Sequence, residues 1–314
     1  MPKSSNSRKL SEFTAANHPV RRLRRLKERS IEAILFAAAA SSVLVTVGIV
    51  FILVSEALPF FQTVSLKQFF GDTEWTPLFD NAHYGIWPLL CGTFLTTFIA
   101  LLVAIPLGTI TAAYLSEYSA PRAREILKPI LEMLAAVPTV VYGFFALTFV
   151  TPLLQKVFPE MGGFNVLSAG LVMGIMIVPY VSSLSEDAMR SVANHLREAS
   201  FAMGASRFQT VFRVVIPSAF SGVTSAYILG ISRALGETMV VAIAAGLQPN
   251  LTLNPLEPSA TITAFIVQVS MGDLPYGSLG YRSIYVAGLT LLIVTLSFNI
   301  LGMWLRKKYS ETGG

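Results

Sequence analysis

One cysteine in 314 residues, three histidines and only 13% charged side chains remove several classes of protein from consideration. Cys91 alone cannot close an intrachain disulfide, and its place at the start of an apolar run suits a small buried apolar residue. His18, His83 and His195 are scattered, with no metal-ligand spacing between them, so no metal site is expected. The chain has no Gly-x-x-x-x-Gly-Lys-Ser/Thr and no Gly-Lys pair at all, which excludes the usual cradle for nucleotide phosphates. If ATP powers this protein, another chain hydrolyses it, and no cofactor is expected in this one. No internal repeat stands out.

What is abundant is apolar surface, 53% of the residues, a composition of polytopic membrane proteins rather than soluble domains. Runs of membrane length lie near residues 34–54, 88–115, 130–154, 166–184, 219–247 and 284–305, predicting an all-α protein with six transmembrane helices. Pro106, Pro138 and Pro179 interrupt several of them, as helices inside a bundle tolerate. The domain expectation is a basic tail over residues 1–30 followed by a transmembrane domain over 31–314. No small-residue cleavage site follows the first apolar run, so that run reads as a retained helix.

The net charge of +5 concerns topology, not nucleic acid. With the N-terminus inside, 19 of the 23 Lys and Arg fall on the cytoplasmic side, leaving Lys67, Lys156 and Arg282 outside and Arg233 within a span. Both termini are then cytoplasmic. The cluster from Arg21 to Lys27 suits a topogenic role beside membrane lipid.

Between the fourth and fifth runs, residues 188–217 do not look like a turn-rich connection. Leu196, Ala199, Ala202 and Met203, then Phe208, Val211, Phe212 and Val215, recur at helical spacing on either side of Gly204. Two short amphipathic helices are expected, with an apolar stripe that needs a partner. An interfacial hairpin lying on lipid headgroups is the plainer alternative. The pattern Glu198-Ala199, Gly204 and Ile216-Pro217 resembles the coupling loop of ABC importer permeases, with Ser200, Val214 and Ile216 as departures of similar size. That resemblance gives Glu198, Ala199, Gly204 and Pro217 a role in coupling to an ATPase.

The fifth run carries Arg233 and, four residues on, Glu237. Arg233 lies 16 residues past Pro217, about 24 Å along a continuous helix. A charge at that depth should be paired or face a wet cavity, and the i, i+4 spacing would let the two heads neutralise each other. A lock between helices is one use for such a pair. The other is a substrate path in which the guanidinium fork binds an oxyanion such as phosphate, and Glu237 offsets it.

Ser232-Arg-Ala-Leu-Gly-Glu-Thr-Met239 resembles the signature of the phosphate ABC transporter permeases, with Thr-Met favouring their PstC branch over PstA. Tyr84-Gly-Ile-Trp-Pro-Leu-Leu-Cys-Gly-Thr93 and Leu134-Ala-Ala-Val-Pro-Thr-Val-Val-Tyr-Gly143 are similar to the same branch. The resemblance implies a type I ABC importer permease fold in a prokaryotic cell membrane and a binding-protein-dependent phosphate importer. It implies partners too: a PstA-like permease, two PstB-like ATPases holding ATP and Mg, and a PstS-like phosphate-binding protein. Other oxyanions, such as molybdate, tungstate or a phosphonate, stay open as cargo, as does a secondary anion transporter that uses no ATPase.

Overall fold

The computed structural model describes the backbone of residues 18–310 and the side chains of residues 27–308. Most of the expected basic tail, residues 1–30, lies outside the described residues. The described chain is helical apart from its connections and one isolated antiparallel bridge, Trp75 to Tyr84. In order come α1 (His18–Thr63), α2 (Leu66–Gly71), α3 (Trp87–Ala113, continued by a π turn over Tyr114–Tyr118), α4 (Pro121–Ala136) and α5 (Thr139–Gln155). Then follow α6 (Val166–Arg190), α7 (Asn194–Ala202), α8 (Arg207–Ser218), α9 (Phe220–Leu235), α10 (Met239–Ala244), α11 (Ile262–Asp273) and α12 (Leu279–Ser310).

By length and composition α1, α3, α6 and α12 can each cross a membrane. Two bent pairs, α4 with α5 at 87° and α8 with α9 at 75°, bring the number to six if each pair is one crossing. Chain contacts separate residues up to Leu53 from Val54 onward. The described residues of the first unit are helical, with Ile34, Phe36 and Leu44 exposed along α1, as suits a lipid-facing span. The second unit holds the end of α1 and all the helices after it.

Two expected spans are broken. The apolar run 130–154 predicts one span, but Val137 precedes a proline and takes an extended conformation (φ −65°, ψ 130°), because the ring of Pro138 crowds the helical conformation of its predecessor. Tyr142 Oη donates to Leu134 O across the break at 2.7 Å, joining the Val137 N–H at 3.4 Å on a carbonyl that Pro138 has no N–H to serve. α4 then runs as an amphipathic helix with no buried residue, and α5 continues at 87° to it for about 25 Å. Residues 219–247 divide likewise at Gly236 to Thr238, between α9 and α10.

The central packing is α3 against α6. Gly170 and Gly174 of α6 form a small-xxx-small stripe. A methyl group on Gly174 would sit 2.8 Å from Ala100 O and 2.7 Å from Val103 Cβ, and one on Gly170 would sit 2.7 Å from Ile99 Cβ. The backbones approach because these two residues have no side chain. Around this seam α5, α9 and α10 contribute Tyr142, Ala234, Val240 and Val241 to one core. A second core joins the two longer connections, with Phe60, Phe69, Trp75, Tyr84 and Phe265 packed edge to face. The connection before α3 also pairs His83 Nδ1 with Asp72 Oδ2 at 2.7 Å.

Candidate functional site

Arg233 lies near the end of α9, about 20 Å along it from Phe220; the bend before Phe220 means that the distance from Pro217 is not a continuous helix. The expected pair with Glu237 does not form, since no ion pair joins the two within 4 Å among the described residues. The helix stops between them. Leu235 is its last residue and Gly236 its C-cap, a residue type that commonly ends helices. Glu237 is therefore off the helix, and one-turn spacing no longer places the two heads together.

Each has a different partner. Glu237 is 8% exposed, and its Oε1 accepts from the backbone N–H groups of Met239 (3.2 Å) and Val240 (3.4 Å). It thereby serves the free donors at the start of α10, where negative charge is favoured. Its own carbonyl accepts from Thr263 Oγ1 at 2.7 Å, which ties this corner to α11. The Arg233 guanidinium lies on the face of Tyr180 from α6, with Cζ 4.2 Å from the ring centroid. Its Nε is buried with no hydrogen-bond partner. A half-buried cation with unused donors has the chemistry to bind an anion. Next to it Ser232 Oγ donates to Asn299 Oδ1 at 3.1 Å, joining α9 to α12.

A larger ionic cluster escaped the sequence analysis. Glu186, at the end of α6, is 0% exposed and receives Arg124 Nε and Lys128 Nζ at 2.7 Å each, with Arg190 Nε at 3.7 Å. Lys128 also reaches Asp187 at 2.6 Å. Glu132, one turn from Lys128 on α4, accepts from Ser183 Oγ at 3.4 Å. No spacing rule links residues 124 and 186, so only the fold reveals this pairing. It fastens the amphipathic α4 to the end of α6.

The predicted coupling segment forms the two expected helices, α7 and α8. At the end of α7 the Gly204 N–H donates to Phe201 O and the Ala205 N–H to Ser200 O, the two bonds of a Schellman cap. Gly204 itself has φ +80°, which strains any residue with a Cβ. Two residues on, Ser206 and Gln209 exchange a capping box that starts α8. Ser200 Oγ and Thr210 Oγ1, 2.9 Å apart, link the helices. Arg197 anchors the pair to the bundle, with Nε and Nη2 on the Glu117 carboxylate at 3.1 and 2.9 Å and Nη2 also on Met189 O at 2.8 Å. Glu198, Ala199, Gly204 and Pro217 are all exposed. The widened turn Val211–Val215 precedes Pro217, which has no N–H to continue a regular ladder.

Between α7 and α8 lies a groove of about 690 Å³ lined by Leu196, Ala199, Met203, Gly204, Arg213 and Val214 among others. Met203 is 88% and Phe208 63% exposed, with Phe201 and Phe212 also outward. Substrate-path and coupling candidates thus occupy separate places on the second unit, with α9 running directly on from α8.

Residues 104–311 match the family described as binding-protein-dependent transport system inner membrane component. A Bacillus subtilis protein named probable ABC transporter permease protein YqgH is 33% identical over 92% of this chain and 94% of its own. The phosphate transport system permease protein PstC of Xylella fastidiosa strain 9a5c is 31% identical over 86% of this chain and 91% of its own. Among solved structures, a bacterial alginate ABC transporter in complex with an alginate pentasaccharide-bound periplasmic protein aligns with a TM-score of 0.58 at 13% identity, over 88% of this chain and 94% of that one. At that identity the likeness is one of fold, and the fold is that of a type I ABC importer permease.

Proposed function

This chain belongs to the binding-protein-dependent transport system inner membrane components, and we propose that within that family it is the PstC-type translocation subunit of an ATP-driven inorganic phosphate importer. Permeases named for phosphate transport are 29–31% identical to it across most of its length. The observation that carries the cargo assignment is Arg233, a guanidinium within the bundle that forms no ion pair with a carboxylate among the described residues. A planar fork of N–H donors suits a tetrahedral oxyanion. Glu237 is the second group of the path, held beside the break between α9 and α10.

The partners follow from the same proposal. A PstA-like subunit completes the pathway and a PstS-like protein delivers phosphate from outside. Two PstB-like subunits bind ATP with Mg and dock in part on the groove between α7 and α8. Glu198, Ala199, Gly204 and Pro217 belong to that docking surface, which faces the cytoplasm together with both termini. Closure of the ATPases would move α7 and α8, and the direct run of α8 into α9 carries that movement toward Arg233.

The test is uptake of labelled phosphate by proteoliposomes containing the assembled complex with ATP on the ATPase side. Arg233→Gln removes a charge-assisted contact worth about 1.5–3 kcal/mol, so KM should rise on the order of 10- to 100-fold. Wild-type uptake by that variant refutes the anion path. Uptake without ATP transfers the proposal to a secondary transporter, and preference for molybdate, tungstate or a phosphonate would change the cargo alone.

A further inference from the structure

We propose that Tyr180 is a positioning residue for anion transfer: its ring holds the Arg233 guanidinium by its face, so that the in-plane N–H donors stay available to the cargo. The inference rests on the anion-path proposal for Arg233 and deepens it.

A guanidinium inside a membrane bundle must be stabilised by something. A carboxylate would do so by consuming the fork, because the N–H donors lie in the plane of the group and a bidentate pair occupies one edge. An aromatic ring acts differently, attracting the cation through the electron-rich face of its π system. Cζ of Arg233 lies 4.2 Å from the Tyr180 centroid, well inside the reach of that attraction. Arg233 donates no hydrogen bond among the described residues, and its Nε is buried without a partner. The nearest carboxylate in sequence, Glu237, accepts instead from Met239 and Val240. The cation is stabilised while its donors stay unspent.

The platform is well placed to be rigid. Tyr180 follows Pro179 on α6, whose neighbours Ile177 and Val181 are fully buried, and its Oη reaches Ala135 O of α4 at 3.4 Å. The ring thus stands on the helix that forms the central seam with α3, and Arg233 reaches it from α9.

The experiment is phosphate uptake by the assembled complex in proteoliposomes, with KM and kcat separated. Tyr180→Leu should raise KM roughly 5- to 30-fold with little change in kcat, the size expected for losing a desolvated cation–π contact, and Tyr180→Phe should retain wild-type KM. Phenylalanines carrying two and then three ring fluorines at position 180 should raise KM stepwise, since fluorine drains the π face at nearly constant volume, a trend that a purely packing role would not produce. The fluorinated series also serves if Tyr180→Leu does not assemble. Arg233→Gln runs alongside. If it raises KM while Tyr180→Leu or the fluorinated series does not, the platform is refuted and the anion path stands. If Tyr180→Phe is as impaired as Tyr180→Leu, the hydroxyl and its contact to Ala135 act instead of the ring, which also overturns the inference. If Arg233→Gln itself transports normally, the anion path fails, and the platform with it.

Discussion

Replacing Glu186 by Gln should destabilise the protein by about 3 kcal/mol. The carboxylate has no surface open to solvent and receives two short contacts, from Arg124 Nε and Lys128 Nζ at 2.7 Å, with Arg190 Nε at 3.7 Å. The amide of Gln keeps one acceptor but turns an NH2 toward a cation, so one of the two short contacts becomes donor against donor. Removing one member of a buried ion pair generally costs about 3–5 kcal/mol, because the other charge is left behind. The lower end applies here. Arg124 and Lys128 keep 24% and 20% of their side-chain surface in contact with solvent, and Lys128 retains Asp187 at 2.6 Å. Reversible unfolding in mixed micelles titrated with SDS measures the difference, with Cys91 reactivity toward a thiol dye as the probe. Adding Lys128→Met removes the stranded cation, so the double variant should lose less than the sum of the two single losses, with a coupling of at least 1 kcal/mol. A single-variant loss below 1 kcal/mol, or strict additivity, would refute the claim that α4 is fastened to α6 through a buried charge.

Three further outcomes are expected. Gly174→Val forces a branched side chain against Ala100 O and Val103; overpacking of this kind costs about 1–3 kcal/mol, and a stability unchanged in the same micelle titration would count against the close α3–α6 seam. At Gly204 there is open space around a built Cβ but φ is +80°, so Gly204→Ala and Gly204→Leu should cost the chain a similar ~1–2 kcal/mol. Only the Leu variant should lose co-purification with the ATPase, because only it projects into the groove, and equal retention by both would argue against docking there. The third outcome is a pH dependence set by His83 and Asp72. The hydrogen bond to Asp72 holds His83 above its ordinary 6.5. Burial works to raise Asp72, but the bonds from His83 and from the Glu74 backbone outweigh it and hold the carboxyl below its ordinary 3.8. The stability from His83 is full below 6.5 and lost as pH rises through its raised value. That from Asp72 is full above 3.8 and lost as pH falls through its lowered value. The difference in thermal midpoint between wild type and His83→Gln should therefore be largest near pH 5 to 6 and shrink in alkali; a difference that grows from pH 6 to 9 would contradict the pairing.

The sequence made the apolar runs legible because membrane length is a property of composition, and each of the six runs coincides at least in part with a helix or a bent pair. It made the α7–α8 helix pair legible because its signals are local: Gly204 after the last turn of α7 and Ser206 three residues before Gln209 mark an end and a start whatever the rest of the chain does. The breaks were less visible. Val137 before Pro138 is a local signal for extended backbone, but an apolar run continues on both sides of it, and hydropathy alone does not register a bend. The main pairings of Glu186, Arg197 and Tyr180 carried no local signal, since Arg124 and Lys128, Glu117, and Arg233 respectively lie 53 to 80 positions away in the chain.

The most instructive case is Arg233 and Glu237. Spacing of four implies a shared helix face only where a helix continues through both residues, and the intervening Gly236 was the residue to weigh. With the helix ended at Leu235, the carboxylate turns to the N-terminus of α10 and the guanidinium to an aromatic face. An i, i+4 pair would have been neutral and self-satisfied, with its donors already spent on its own carboxylate. Separating the two by a helix break keeps a cation at depth with donors unspent, and that separation makes this corner of α9 better suited to passing an anion than to locking two helices together.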